Sequence, residues 1–370
     1  MGSFRIADAQ AIAQDVPDRV DVTREKIIMT RDRHAEGPLT PRGRFSRGPF
    51  GRREFLELGA GVFVAAALPL ALRRHVRLAR RTLPLMGTIA EVQVAHRDMR
   101  TAEAAIDAAY GVLRDVEAAM TRFRAESDIG RVNLGASRDG VHVTPAVAGV
   151  ITAGIAWASL SDGRFDPAVG AASDLWDVLN RHEPPGAGKV RALAARGFWK
   201  KVDVSSFGGT PAVRFEDPDV SLDLGAIAKG YSIDRAVDAL RARGIEQAIV
   251  TIGGDLYALG HAPDGAPWRV GIRDPHDERT LAATLAVADR AVATSGDYER
   301  FFRWRGVRFH HLMDPATAAP RLTPFHSVTV LANRAMDADA ASTTVFGLPR
   351  EAALAIVRRR LADVDVIPLN

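Results

Sequence analysis

Between Thr82 and Asn370 the spacing of apolar residues changes period several times. Ile106, Tyr110, Leu113, Val116 and Met120 recur three to four residues apart, which predicts an amphipathic helix over Thr101–Met120. A second helix is predicted over Pro145–Leu160, its proline in the first turn, where a missing N–H costs nothing. A third covers Ala226–Arg243 and stops at Gly244, burying Ile233, Ala236, Val237 and Leu240. Two more fit Ala338–Phe346 and Arg350–Leu361. Strand-like runs lie between them: Leu83–Val94 around Met86-Gly87-Thr88, Val220–Leu224, Gln247–Ile252 closed by Gly253-Gly254-Asp255, Arg269–Ile272, Leu281–Val287, Val328–Leu331 and Val364–Ile367. Gly163–Trp176 reads as a loop and Pro184-Pro185-Gly186 as a turn. There is no internal repeat and no linker, so residues 82–370 are expected to form one α+β domain with mixed sheets and packed helices.

The N-terminal part differs in kind. Residues 1–50 alternate charge, glycine and proline without apolar periodicity, which predicts a disordered basic leader. Residues 51–81 carry Arg52-Arg53, a nearly uncharged run from Leu58 to Leu72, then Arg73, Arg74, Arg77, Arg80 and Arg81. Paired arginines before an apolar run resemble a twin-arginine export signal, which predicts a periplasmic or extracytoplasmic location. The run is shorter than the ~20 residues a spanning helix needs, and Pro69 interrupts it. Anchoring of the chain to a membrane through residues 58–72 stays open beside cleavage.

Charge reinforces this division. Residues 1–81 hold 16 Lys and Arg against 9 Asp and Glu, whereas 82–370 hold 33 against 36. The basic excess therefore belongs to the leader, which argues against a nucleic-acid-binding domain. No cysteine is present, excluding disulfides, thiolate metal sites and a cysteine nucleophile.

Three segments carry chemistry. Asp223-Leu224-Gly225-Ala226-Ile227-Ala228-Lys229-Gly230 leads through a tight turn into a helix, whose free N–H groups suit an anion beside Lys229. Its plain alternative is a strand–turn–helix with a surface lysine. Thr294-Ser295-Gly296-Asp297-Tyr298 is followed by His310-His311-Leu312-Met313-Asp314-Pro315, where a histidine could move a proton or simply pack. In Met336–Thr343, Asp339 and Thr343 stand four apart on one helix face, a spacing that suits Mg²⁺ or an ordinary capping aspartate.

Together with Met86-Gly87-Thr88, Met120-Thr121-Arg122-Phe123, Ser127, Asn133, Gly163-Arg164-Phe165-Asp166-Pro167 and Gly253-Gly254-Asp255, these segments resemble the FAD:protein FMN transferases, the thiamine-biosynthesis lipoprotein-like flavin transferases. The likeness extends from Thr82 to about Leu348. It implies an Mg²⁺-dependent enzyme that takes FAD as substrate, moves FMN to a threonine or serine of an acceptor flavoprotein, and releases AMP. By that resemblance Met86, Phe123, Arg164, Phe165, Asp166, Asp223, Lys229 and Leu312 bind the flavin nucleotide. The Ala226 carbonyl, Asp339 and Thr343 bind the metal, and His311 or Asp314 handles the proton. It also implies an acceptor segment of the form Asp-x-x-[Ser/Thr]-Gly-Ala-Thr, in a respiratory or nitrous-oxide-reduction membrane flavoprotein. An FAD pyrophosphatase and a non-catalytic flavin binder are the alternatives. Phe123 stands where relatives carry tyrosine, and Ala318 where a turn glycine is usual, so a positive φ there would be strained.

Overall fold

The computed structural model describes residues 62–64, 76–277 and 279–370. The expected leader, Arg52-Arg53 and most of the apolar run lie outside the described residues. From the run itself only a short strand, β1 (Val62–Val64), is described; it pairs antiparallel with β9 (Trp268–Arg273). Arg77, Arg80 and Arg81 belong to strand β2 (Arg77–Leu85). Arg81 meets Glu103 and Asp107 of the first helix, so this part of the arginine cluster serves the fold.

The centre is a seven-stranded antiparallel sheet in the order β17-β16-β11-β8-β7-β3-β2. Its other strands are β3 (Thr88–His96), β7 (Ala248–Ile252), β8 (Asp255–Leu259), β11 (Arg290–Gly296), β16 (Ser327–Ala332) and β17 (Asp365–Leu369). The expected run Leu83–Val94 is thus the hairpin β2–β3, turning at Met86-Gly87, both with positive φ. Helix α1 (Met99–Met120) lies on one face together with the later helices α6 (Ala228–Arg241) and α7 (Ala335–Val345). Their apolar stripes and the inward residues of β3 and β7 form one core, among them Ile106, Leu113, Ile233, Val237, Val250 and Ile252. The opposite face is covered by β9 and β10 (Leu281–Val287) around Trp268, Val270, Leu256 and Leu331. Coverage on both sides explains why β8 and β16 bury every residue.

Alternation along the strands decides what reaches the helices. Tyr257 and Leu259 of β8 point to the helix side and Leu256 and Ala258 away. Asp255 shares the parity of Tyr257, so a carboxylate enters the helix-side layer. By the same count Ser295 of β11 joins Ala291 and Ala293 on that side.

A second core surrounds α3 (Pro145–Leu160), with α2 (Asp128–Gly135) and α8 (Arg350–Val357) packed against it. Ser127 caps α2, accepting from Gly130 N–H at 2.9 Å. Val220–Leu224, expected as a strand, makes only one bridge, Ser221 with Val169. Its backbone is held instead by Asn133, whose side-chain amide donates to Leu222 O and accepts from Leu222 N–H. Gly163–Trp176, expected as a loop, ends in helix α4 (Gly170–Trp176). No helix among the described residues is long and apolar enough to cross a membrane.

Candidate functional site

Helices α6 and α7 meet closely at their N-terminal ends. A Cβ on Gly230 would lie 2.1 Å from Ala335 O, so only glycine permits this approach. Asp234 of α6 caps α7 from across the contact, accepting from Ala335 N–H at 2.8 Å and Met336 N–H at 3.1 Å. Asp339 then faces α6 and accepts from Gly230 N–H at 3.0 Å. The helix start predicted to offer its N–H groups to an anion therefore gives one of them to a carboxylate of the protein itself.

Lys229 stands at the centre. Its ammonium lies 2.7 Å from Asp339 Oδ1 and 2.8 Å from Asp255 Oδ2, and donates to Gly225 O at 3.2 Å. Burial works against its charge, but the two carboxylates outweigh burial and raise its pKa. Burial also raises the Asp255 carboxyl, opposed by the ammonium. Asp255 Oδ1 accepts from Thr294 N–H at 3.1 Å, whereas buried Oδ2 makes no hydrogen bond of good geometry and has only the ammonium close by. Thr343, one turn beyond Asp339, lies 3.3 Å from Ser295 Oγ, which also meets Ser342 Oγ at 2.8 Å. Lys229, Asp339, Thr343 and the turn carrying Ala226 are thus brought together. No group of three His, Asp or Glu among the described residues could hold a metal ion.

The histidines divide their tasks. Leu312 N–H donates to His310 Nδ1, which leaves the Nε2 hydrogen for Arg321 O at 2.9 Å. Burial pushes its pKa down to about 4, fixing a neutral structural ring. His311 lies close enough to feel Lys229 and Arg300; burial first, then these cations, push it down to about 3. Its Nδ1 meets Arg300 O at 3.4 Å, and Arg300 also donates to Gly87 O at 2.9 Å. Asp314 accepts from Ala316 N–H at 3.0 Å and organises its own turn, in which Ala318 has φ +53°.

The other residues expected to bind the flavin nucleotide come from several elements. Phe123 is 84% exposed, with the Arg122 guanidinium 5.2 Å from its ring centroid. Arg122 also pairs with Asp174 and lies 3.6 Å from Asp223, which accepts from Gly225 N–H. Met86, in the hairpin turn, donates its N–H to Glu117 at 2.7 Å. Phe165 and Leu312 are enclosed in the core around α3, so their side chains pack. Asp166 accepts from Ala168 and Trp199 N–H, and burial raises its pKa to about 6. Arg164 donates to the carbonyls of Thr344 and Phe346 beside buried Arg321, which serves Thr343 and Phe346. Both guanidiniums therefore cap the C-terminal end of α7, where the helix dipole favours cations.

Asp255, Arg122 and Asp234 had no site role in the sequence reading. For Asp255 a signal existed: one carboxylate opening the otherwise apolar strand Asp-Leu-Tyr-Ala-Leu, on the parity of its helix-facing residues.

A family model described as the ApbE family matches residues 86–368. The chain belongs to the ApbE family. The protein named FAD:protein FMN transferase from Treponema pallidum (strain Nichols) is 34% identical over 300 residues, covering 77% of this chain and 83% of that one. The solved structure of flavin transferase ApbE from Vibrio cholerae has a TM-score of 0.68 at 29% identity, covering 79% and 93%. That of the ApbE protein from Thermotoga maritima has 0.70 at 28%, covering 79% and 94%. The α+β fold expected from the sequence is that of the ApbE family.

Proposed function

We propose that this ApbE-family chain transfers FMN from FAD to a threonine or serine hydroxyl of an acceptor flavoprotein, releasing AMP, with Mg²⁺ as cofactor. The observation that carries this reading is the ammonium–dicarboxylate cluster where α6 meets α7, next to the neutral ring of His311. The names of the curated relatives support the same reaction.

The donor set fits a hard cation: oxygen only, one net negative charge in the cluster, and a buried carboxylate oxygen lacking a hydrogen bond. Asp339, Thr343 and the Ala226 carbonyl would hold Mg²⁺. When bound, it neutralises negative charge on the diphosphate.

The chain's own residues do the rest. Phe123 offers an exposed aromatic face for the flavin ring. His311, with its Nδ1 hydrogen directed at Arg300 O, keeps the Nε2 lone pair for a proton. That ring takes the proton of the acceptor hydroxyl as its oxygen bonds to the FMN phosphorus, and the bond from phosphorus to the AMP oxygen breaks. Burial, then Arg300 and Lys229, make this ring a reluctant base, and an anionic diphosphate beside it would offset the repulsion of the two cations. One carboxylate oxygen of Asp314 serves its own turn, which favours His311 for the proton. The acceptor segment Asp-x-x-[Ser/Thr]-Gly-Ala-Thr, export by the Arg52-Arg53 leader and an extracytoplasmic location belong to the same proposal.

The test incubates the chain with FAD, Mg²⁺ and a domain bearing that segment. A fluorescent acceptor band on a denaturing gel, with equal AMP, is the expected result, and Asp339→Ala should abolish both. AMP with free FMN and no band would replace the acceptor hydroxyl by water and overturn the transferase reading.

A further inference from the structure

Two carboxylates, each about nineteen-twentieths buried or more, face one ammonium. Asp339 has a second donor in Gly230 N–H, and Asp255 has Thr294 N–H on its other oxygen. Asp255 Oδ2, however, depends on Lys229 alone. Such a charge left without its partner is costly, so the lysine is the cation that stabilises this pair. It is also able to leave: 27% of the Lys229 side chain is exposed, against 4% for either aspartate.

We infer that Lys229 is a resident counter-ion and that a divalent cation competes with its ammonium for the pair Asp255–Asp339. This rests on the divalent-cation part of the reading above. Asp255, which begins β8 and is held by Thr294 N–H, is then a positioning residue that sets where the ammonium waits. Charge arithmetic gives the consequence. The pair carries two negative charges, and a dication satisfies both without the lysine. The released ammonium belongs to the second residue of α6, within its first turn, free to meet a diphosphate. Cation and diphosphate therefore bind with positive coupling through one side chain.

The competition is read without flavin and without activity. MgCl₂ alone is titrated calorimetrically into the full chain, and thermal melts are recorded in chelator and in Mg²⁺. Lys229→Met removes the competitor: Mg²⁺ affinity should rise about tenfold, equivalent to ~1.4 kcal/mol. Its melting point should be lower than wild type in chelator and recover more on adding Mg²⁺. Lys229→Arg keeps a cation with a planar fork suited to two carboxylates, so affinity should fall about tenfold. The arginine variant retains the buried pair and carries the test if the methionine variant does not fold. Equal Mg²⁺ affinity in wild type and variants, or weaker binding by Lys229→Met, overturns the competition alone. Absence of Mg²⁺ binding in wild type and both variants overturns the divalent-cation reading itself.

Discussion

The two ends of the candidate site are built by opposite means. At the α6–α7 end the parts place one another: Gly230 sets the distance, Asp234 holds the helix start, and Lys229 joins Asp255 to Asp339. At the Phe123 end one aromatic ring stands almost free in solvent with a single arginine beside it. Burial amplifies electrostatics at the first end and makes any missing partner expensive. The second end supplies area, which tolerates movement. In the proposed function the charged end is preorganised, and the aromatic end would be completed by the ligand.

Three substitutions probe that contrast. Gly230→Ala should have the largest effect, because its methyl group meets backbone at 2.1 Å and the helices must separate. A loss of about 3 kcal/mol in chemical denaturation is expected, together with loss of Mg²⁺ binding; an unchanged melt would mean the spacing is not fixed there. Phe123→Ala should leave stability within about 0.5 kcal/mol, as exposed positions do. It should weaken FAD binding by roughly tenfold through lost stacking. A stability loss with normal FAD affinity would make Phe123 a packing residue. The smallest effect is expected for Ala318→Gly, which relieves a left-handed alanine and should stabilise by about 0.5 kcal/mol. FAD and Mg²⁺ binding should stay unchanged, so a change in either would tie this turn to the site.

Legibility in the sequence follows the same contrast. Helix α3 is found at the predicted Pro145–Leu160, where the N1 proline marks the start. Asp339 and Thr343 lie within α7 as their spacing predicts. The strain predicted for Ala318 is present as a positive φ. What could not be read were contacts made through the backbone of distant segments. Asn133 substitutes for a strand partner of Leu222, so a β-like run failed to become a strand. Arg164 and Arg321 both serve carbonyls, which carry no sequence signature. Within the chain Phe165 and Leu312 pack in the core around α3, Arg164 caps α7 and Asp166 accepts from Ala168 N–H, contacts that residue type alone did not reveal. Asp255 lay on the boundary: its residue type was visible, and its face required knowing where β8 sits in the sheet.

The bond between Lys229 and Asp339 spans 110 positions of the chain. On a ribosome adding about 5–20 residues per second, the lysine waits roughly 5–20 s for that aspartate. A nascent chain ending before α7 already has the lysine and Asp255 but lacks the second carboxylate. On the proposed function, nucleotide and cation would meet a finished cluster only after α7 has been made, so loading would follow the folding of α6 against α7.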